Sequence, residues 1–356
     1  MSHLPTIALT HGDINGIGYE VILKAFEDER MYELCIPVLF GSTKILSHYR
    51  KHLGLTTAYN TITDISQAKT GVLNVIDCID EDIRPEPGVT NQTAGEAALK
   101  SLEAALEAVT TGKADILVTA PINKKNIQSD RFVFPGHTEY LENKAGNDAK
   151  ALMVLTSENL RVALVTTHLP VSEVSAAVTK DAVLEKIRLF NNSLKRDFGI
   201  HHPRIAVLAL NPHAGEEGLL GREEEEVIIP AVQRAKEENI MAFGPYAADG
   251  FFGSGRFVKF DGVLAMYHDQ GLAPFKVMAM ESGVNFTAGL PWVRTSPDHG
   301  TGYDISGRGE ASAESMRRAI YEGIDIFRNR RRDIEINANP LQRRAIEKSN
   351  NQNDNQ

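Results

Sequence analysis

The sequence predicts an α/β protein of two domains, and three observations carry that expectation. Short runs rich in Val, Ile and Leu recur along the chain and alternate with segments of helical periodicity, the pattern of a parallel sheet covered by helices. With 356 residues the chain is too long for one small core. Its apolar fraction of 42% and charged fraction of 24% are those of an ordinary globular chain.

Taken in order, the first expected strand is "TIALT" (6–10), which leads into "THGDINGIGYE" (10–20). Gly12, Gly16 and Gly18 stand there between a strand and a helix, similar to a phosphate-cradling turn, but the spacing is neither G-x-G-x-x-G nor a P-loop. Neither fingerprint occurs elsewhere, so pattern alone predicts no nicotinamide cofactor. Strands follow at "IPVLF" (36–40) and "VLNVI" (72–76). The clearest helix is "TAGEAALKSLEAALEAVTTG" (93–112): Thr93 and Glu96 fit a capping box, Leu99, Leu102, Leu106 and Val109 form one stripe, and Gly112 closes the end. Further strands are expected at "ADILVTA" (114–120), "ALMVL" (151–155), "RVALVTT" (161–167), "RIAVLAL" (204–210) and "DGVLAMY" (261–267).

A second helix is expected over 180–199, with Val183, Ile187, Phe190 and Leu194 at helical spacing. The run Glu223 to Glu226 reads as a solvated first turn favoured by the helix dipole. "RNRRRD" (328–333) reads as a basic helix end on the surface, and "SNNQNDNQ" (349–356) as a frayed, disordered tail.

Composition excludes several classes of function. A net charge of −9 argues against a nucleic-acid-binding surface, although a local Lys/Arg cluster can still hold an anionic small molecule. Two cysteines, Cys35 and Cys78, are too few and too far apart for a disulfide framework or a thiolate metal site, and read as small buried residues. No basic leader with a long apolar run opens the chain, and nowhere do about 18 apolar residues run together. A cytosolic, non-membrane protein with reduced thiols is the expectation.

The chemistry gathers at strand ends. "RVALVTT" runs into His168, "RIAVLAL" into "NPH" and His213, and "DGVLAMY" into His268. Parallel strands deliver their C-terminal ends to one sheet edge, where ligands bind in open α/β folds. Three imidazoles there would suit a divalent cation with open positions; singly, each is equally a hydrogen-bonding residue at a strand end. In "FPGHTEYL", His137 and Thr138 precede a helical segment whose free N–H groups could hold an anion, with a plain helix cap as the alternative. Lys276, Asn285 and Arg294 add a point charge, an amide and a planar fork, a set suited to phosphate.

Seven segments in order, "GDINGIGYE", "TAPINK", "PGHTEYL", "VTTHLP", "LNPHAGE", "MYHDQGLAPFK" and "VNFTAGLPWVRTSPDHGTGYDI", resemble the 4-hydroxythreonine-4-phosphate dehydrogenase family of pyridoxal phosphate biosynthesis. The chain departs from that family's pattern where Ile14 and Tyr19 replace prolines and His11 replaces a residue that is commonly proline. The resemblance implies an isocitrate/isopropylmalate-dehydrogenase-like fold, with two α/β domains around a central cleft (1–135 plus 305–348, and 136–304). It also implies a homodimer whose active sites draw on both subunits. It maps metal ligands onto His168, His213 and His268, and substrate contacts onto His137, Thr138, Lys276, Asn285 and Arg294. Asp249 matches an acidic position in the cleft.

The cofactors implied are NAD, with NADP as an alternative, and a divalent cation that three imidazoles leave open among zinc, cobalt, manganese and magnesium. The implied reaction oxidises the C3 hydroxyl of 4-phosphooxy-L-threonine and decarboxylates the product to 3-amino-2-oxopropyl phosphate. The proton acceptor stays open between Asp249, Lys276 and a water. Three other readings compete. A catabolic relative would act on 4-phospho-D-threonate or 4-phospho-D-erythronate. A metal-dependent phosphohydrolase would add Asp249 and Asp269 as ligands. The last is a non-catalytic binding protein.

Overall fold

The computed structural model describes residues 4–79, 82–146 and 149–339; the tail at 349–356 lies outside the described residues. Twelve strands form one sheet among the described residues: β1 (Thr6–Thr10), β2 (Ile36–Gly41), β3 (Tyr59–Ile62), β4 (Leu73–Asp77), β5 (Ile116–Thr119) and β6 (Leu152–Thr156). The remainder are β7 (Arg161–Leu164), β8 (Arg204–Leu208), β9 (Met241–Tyr246), β10 (Gly262–Ala265), β11 (Val284–Ala288) and β12 (Val293–Pro297). The helices are α1 (Gly18–Ala25), α2 (Thr43–His52), α3 (Gln92–Thr110), α4 (His137–Ala145) and α5 (Val171–Ala177). They continue with α6 (Lys180–Arg196), α7 (Ile229–Glu237), α8 (Ala248–Gly253), α9 (His268–Ala279) and α10 (Glu314–Asn337).

All eight expected strands are present, and four more, β3, β9, β11 and β12, complete the sheet. Those four lack a continuous aliphatic run: "YNTI", "MAFGPY", "VNFTA" and "VRTSP" carry polar residues, glycine or proline. The sheet is mixed rather than wholly parallel. Its order is β3-β4-β2-β1-β5-β12-β11-β6-β7-β10-β8-β9. Because β11 is antiparallel to β12 and β6, and β6 to β7, the block β7-β10-β8-β9 runs opposite to the block from β3 to β12. Within the second block β7, β10 and β8 are mutually parallel, so the three histidine-bearing ends do share one edge.

Helix ends follow local chemistry with one correction. α3 is capped by Asn91, whose Oδ1 accepts from the Ala94 N–H at 2.9 Å, so Thr93 sits inside the first turn and makes no capping box. Gly112 closes it with φ +72°, as expected. α6 starts at the N-cap Thr179, and Gly199 follows with φ +67°. Cys35 is buried and Cys78 half-buried, neither is in a disulfide, and burial pushes both thiols up to about 12.

Two charged segments differ from expectation. Arg330, inside "RNRRRD", is buried: its Nε donates to Asp197 at 2.7 Å and its Nη1 to the Leu290 carbonyl at 3.2 Å, joining α10 to the end of α6. Glu224 is also buried rather than solvated.

The turn after β1 is filled by the chain itself. A Cβ at Gly12 or Gly18 would strike the Pro121 or His11 carbonyl oxygen, and one at Gly16 would lie 2.7 Å from the Thr301 oxygen. These glycines serve close backbone approach and leave no cradle for a diphosphate. The replacements at 11, 14 and 19 form one connected unit. The His11 ring stacks on Tyr19 with centroids 5.0 Å apart, Tyr19 stacks on Tyr49 at 5.8 Å, and the Tyr49 hydroxyl donates to the Ile14 carbonyl at 2.8 Å. Three non-local contacts thus hold a loop that proline would otherwise stiffen.

Candidate active site

One cavity of about 200 Å³ lies where β5, β12, β11 and α4 meet. Arg294, from β12, is 2% exposed at its wall. Its Nε and Nη2 donate to Thr119 Oγ1 at 3.2 and 2.7 Å, and its Nη1 to Thr287 Oγ1 at 3.0 Å. Among the described residues no carboxylate lies within ion-pair distance of it. Burial lowers its pKa to about 10, opposed by the more distant Glu139. A guanidinium held this deep by neutral hydroxyls alone is costly unless an anion joins it.

The rest of the wall suits that anion. His137 and Thr138 are the first two residues of α4, behind the N-cap Gly136, which offers no side-chain cap, so the N–H groups of the first turn remain for a ligand. His137 is half-buried with its Nε2 shielded from solvent and without a partner, and desolvation holds it neutral, well below the usual imidazole range, with Arg294 and Lys124 adding to the effect. Asn285 contributes a buried, unpartnered Oδ1. Lys276 stands just outside, with Nζ 3.7 Å from Asp298 Oδ1, and Asp298 itself lines the cavity. Burial raises the Asp298 carboxyl and Lys276 opposes the rise.

His168 borders the same cavity. Its Nδ1 is 3.1 Å from Glu139 Oε1, and its Nε2 is 3.2 Å from Lys124 Nζ. Burial alone would raise the Glu139 carboxyl, but the bond to His168 and the nearby cations hold it below the usual range. An ammonium donating to Nε2 leaves Nδ1–H to donate to Glu139, which fixes the tautomer that presents a lone pair at Nε2. The ring of His268, first residue of α9, lies 6.1 Å from that of His168, and its Nδ1 is 2.7 Å from Asp269 Oδ1.

The third histidine stands apart. His213 follows β8 and lines a second cavity of about 470 Å³ together with Asp249, Tyr267 and Gln270. Asp249 is exposed at the start of α8, where its Oδ1 accepts from the Gly250 N–H at 2.7 Å. Among the described residues no group of three or more His, Cys, Asp or Glu stands close enough to hold one ion. The three strand ends therefore share an edge, while their imidazoles divide two and one. The His213 turn is left-handed through six consecutive residues, with φ of 53, 55, 80, 46, 53 and 88° from His213 to Gly218. Four of the six are not glycine, and each such residue is disfavoured by roughly 1–2 kcal/mol.

The structure thus brings His137, Thr138, Asn285, Arg294 and His168 to one cavity, sets His268 and Lys276 at its edge, and puts His213 and Asp249 in the next. Sequence reasoning passed over Lys124, Glu139, Thr119 and Thr287. All four lie inside the quoted segments "TAPINK", "PGHTEYL" and "VNFTAGLPWVRTSPDHGTGYDI", where other residues drew attention; the two threonines are strand residues whose inward hydroxyls only the fold reveals.

The donors fit a divalent cation in part: two neighbouring imidazoles each have Nδ1 against a carboxylate, and the Nε2 of His168, which here faces Lys124 Nζ at 3.2 Å, becomes available to an ion once that ammonium moves aside.

Residues 33–322 match the family model described as pyridoxal phosphate biosynthetic protein PdxA. The chain is 55% identical to a 4-hydroxythreonine-4-phosphate dehydrogenase of Bacteroides thetaiotaomicron, over 96% of this chain and 94% of that one. It is 40% identical to a putative D-threonate 4-phosphate dehydrogenase of Oceanobacillus iheyensis, over 92% and 99%. A crystal structure of 4-hydroxythreonine-4-phosphate dehydrogenase from Klebsiella pneumoniae superposes with a TM-score of 0.80 at 34% identity, covering 91% of this chain and 98% of that one. With the family model spanning most of the chain and the fold matched over nine-tenths of it, this protein belongs to the PdxA family of pyridoxal phosphate biosynthetic proteins.

Proposed function

We propose that the chain is an NAD-dependent, divalent-metal-dependent dehydrogenase that oxidises 4-phosphooxy-L-threonine at C3 and decarboxylates the product to 3-amino-2-oxopropyl phosphate. The observation that carries this reading is Arg294, buried in the cavity wall with no carboxylate within ion-pair distance among the described residues, beside a neutral His137 whose Nε2 has no partner. Such a pocket is complete only with an anion. The 55% identity to a 4-hydroxythreonine-4-phosphate dehydrogenase supplies the substrate class.

In the proposed complex Arg294, Asn285, Thr138 and the first turn of α4 hold the phosphate, and His137 stays neutral so that it can both donate and accept. Lys276 closes over the phosphate from the edge, leaving Asp298. Fixing this remote group orients C3 and its hydroxyl. When bound, the cation would supply Lewis acidity and the nicotinamide a hydride acceptor. Asp249 or Lys276 takes the hydroxyl proton, and the β-keto acid then releases its carboxylate as carbon dioxide.

His168, His213 and His268 would hold the cation. We propose a homodimer in which a second copy brings the third imidazole to the other two. Two features support it: the division of the histidines within one chain, and the outward-facing Val277 on α9, the helix that His268 opens, with Met280 at its C-cap. His213 and Asp249 share a cavity, so an arrangement that delivers the imidazole delivers the carboxylate with it.

The 40% identity to a putative D-threonate 4-phosphate dehydrogenase motivates a second substrate, 4-phospho-D-threonate, which keeps the phosphate and the β-hydroxy acid and differs at C2. The test is absorbance at 340 nm with purified protein, NAD and a divalent cation, each substrate in turn. NADH from the amino acid, lost on chelation, is the expected result. NADH from the threonate alone transfers the chain to the second reading, and NADH from neither overturns both.

A further inference from the structure

The histidine that stands apart is held by a carboxylate that the sequence pattern assigns to solvent. Glu224 is 1% exposed. Its Oε1 accepts from the backbone N–H groups of Leu210 and Asn211 at 2.7 and 2.8 Å, and its Oε2 from Asn211 Nδ2 at 3.0 Å. Neighbouring Glu223 takes the same Asn211 amide at 2.7 Å through Oε2 and the Ser175 hydroxyl at 2.6 Å through Oε1. Ser175 lies on α5, the helix that follows His168. The chain Glu224–Asn211–Glu223–Ser175 therefore ties the end of β8 to the element behind His168.

Immediately beyond these bonds the backbone enters the left-handed run at His213. Backbone bonds brace the run from its far side: the Glu216 N–H reaches the His213 carbonyl at 3.3 Å, the Gly218 and Leu220 N–H groups the Gly215 carbonyl at 3.0 Å each, and the Leu219 N–H the Glu216 carbonyl at 3.1 Å. Side chains at such φ values relax to ordinary backbone unless the surroundings fix them. The fixing contact on the near side is Glu224. It also packs against the turn itself, since a Cβ on Gly215 would lie 2.6 Å from its Oε2. The segment Glu224–Ile228 is a π-helical turn, in which the wider coil sets the first carboxylate inward while Glu225 and Glu226 remain exposed.

We infer that Glu224 is a positioning residue for His213: its two oxygens hold the "LNPHAGEEG" loop in the strained conformation that aims this imidazole. The inference rests on the proposed role of His213 as a metal ligand. Acceptor geometry rather than net charge is the working feature, because the partners are two backbone N–H groups and one amide.

The test uses the full chain stripped of metal and titrated with cobalt(II), read by visible absorption and by competition with a chelating dye. E224A should weaken cobalt binding at least tenfold, the range measured when outer-shell partners are lost, and change the absorption bands. E224Q, which keeps one oxygen for both backbone donors, should recover to within a few-fold of the parent. E224D keeps the charge but is one methylene short of Leu210 and Asn211, and should bind more weakly than E224Q; this ordering decides the matter even where E224A fails to fold. Cobalt binding by E224A equal to the parent's, or E224D binding more tightly than E224Q, overturns the inference. H213A separates the two levels. An H213A protein that binds cobalt like the parent overturns the ligand assignment, whereas a weakened H213A beside a silent E224A overturns only the anchoring role.

Discussion

The two ends of the candidate site are built to different degrees within one chain. The proposed anion end is assembled: Arg294 is clamped by two threonines, His137 is desolvated and neutral, and α4 sets its first turn at the same 200 Å³ cavity. The proposed cation end is divided, with His168 and His268 side by side and His213 in a neighbouring cavity beside Asp249. The contrast has a physical cause. A phosphate site can be made from one fixed charge and several dipoles already in place. A cluster of metal imidazoles has no attraction to hold it together before the ion arrives, so each ring must be propped from behind. Glu139 and Asp269 do this directly for His168 and His268, and the Glu224 loop does it through the backbone for His213.

Four measurements would sharpen or break this contrast. The largest effect is expected from H268A: turnover should fall by more than about 10³-fold and bound metal should drop, while protection by inorganic phosphate survives. Metal content and rate equal to the parent's would remove His268 from the cation end. R294A should show the mirror image, with metal retained and kcat/KM lowered roughly 10²–10³-fold, as the loss of a charge-assisted, bidentate contact implies. The loss should largely vanish with a dephosphorylated substrate analogue. Equal losses with both substrates would show that Arg294 serves the fold and not the phosphate.

Next is the frame that carries both ends. His11 is fully buried with no side-chain hydrogen-bond partner at either ring nitrogen, and burial lowers its pKa from 6.5 to about 4. The unfolded chain therefore binds a proton more readily than the folded one between those values. His11's contribution to stability is complete above pH 6.5 and is lost as pH falls from 6.5 towards 4, by roughly 2 kcal/mol at pH 5. H11F, which keeps a ring against Tyr19, should flatten unfolding free energy between pH 7 and 5 relative to the parent. Parallel pH profiles would show that another group sets the acid sensitivity.

E139Q has the smallest expected effect and bears most directly on the comparison, because α4 gives His137 and Thr138 to one end and Glu139 to the other. Weakening the Nδ1 contact of His168 should lower metal affinity about tenfold with phosphate binding unchanged. A matching loss of phosphate affinity would mean that the two ends act as one unit.

Much of this was legible in the sequence because it depends on local repetition. Burial of one face or one stripe imposes a period, so eight aliphatic strands and the long helices α3 and α6 declare themselves without knowledge of their neighbours. The histidines at 168, 213 and 268 stand out for the same reason, each following a strand that the pattern marks. What the sequence pattern did not contain was which polar residues the fold would bury. Glu224 and Arg330 sit in charge runs identical in kind to exposed ones, and only their distant partners, the Leu210–Asn211 backbone and Asp197, draw them inside. Strands β11 and β12, which reverse the sheet and bring Asn285 and Arg294 to the cavity, carry too many polar residues to announce themselves. By itself the sequence determined the eight aliphatic strands, the shared edge of three of them and the residue types available there. The tertiary structure alone decided which imidazoles meet and which charges lose their water, because both depend on contacts between segments tens to hundreds of residues apart.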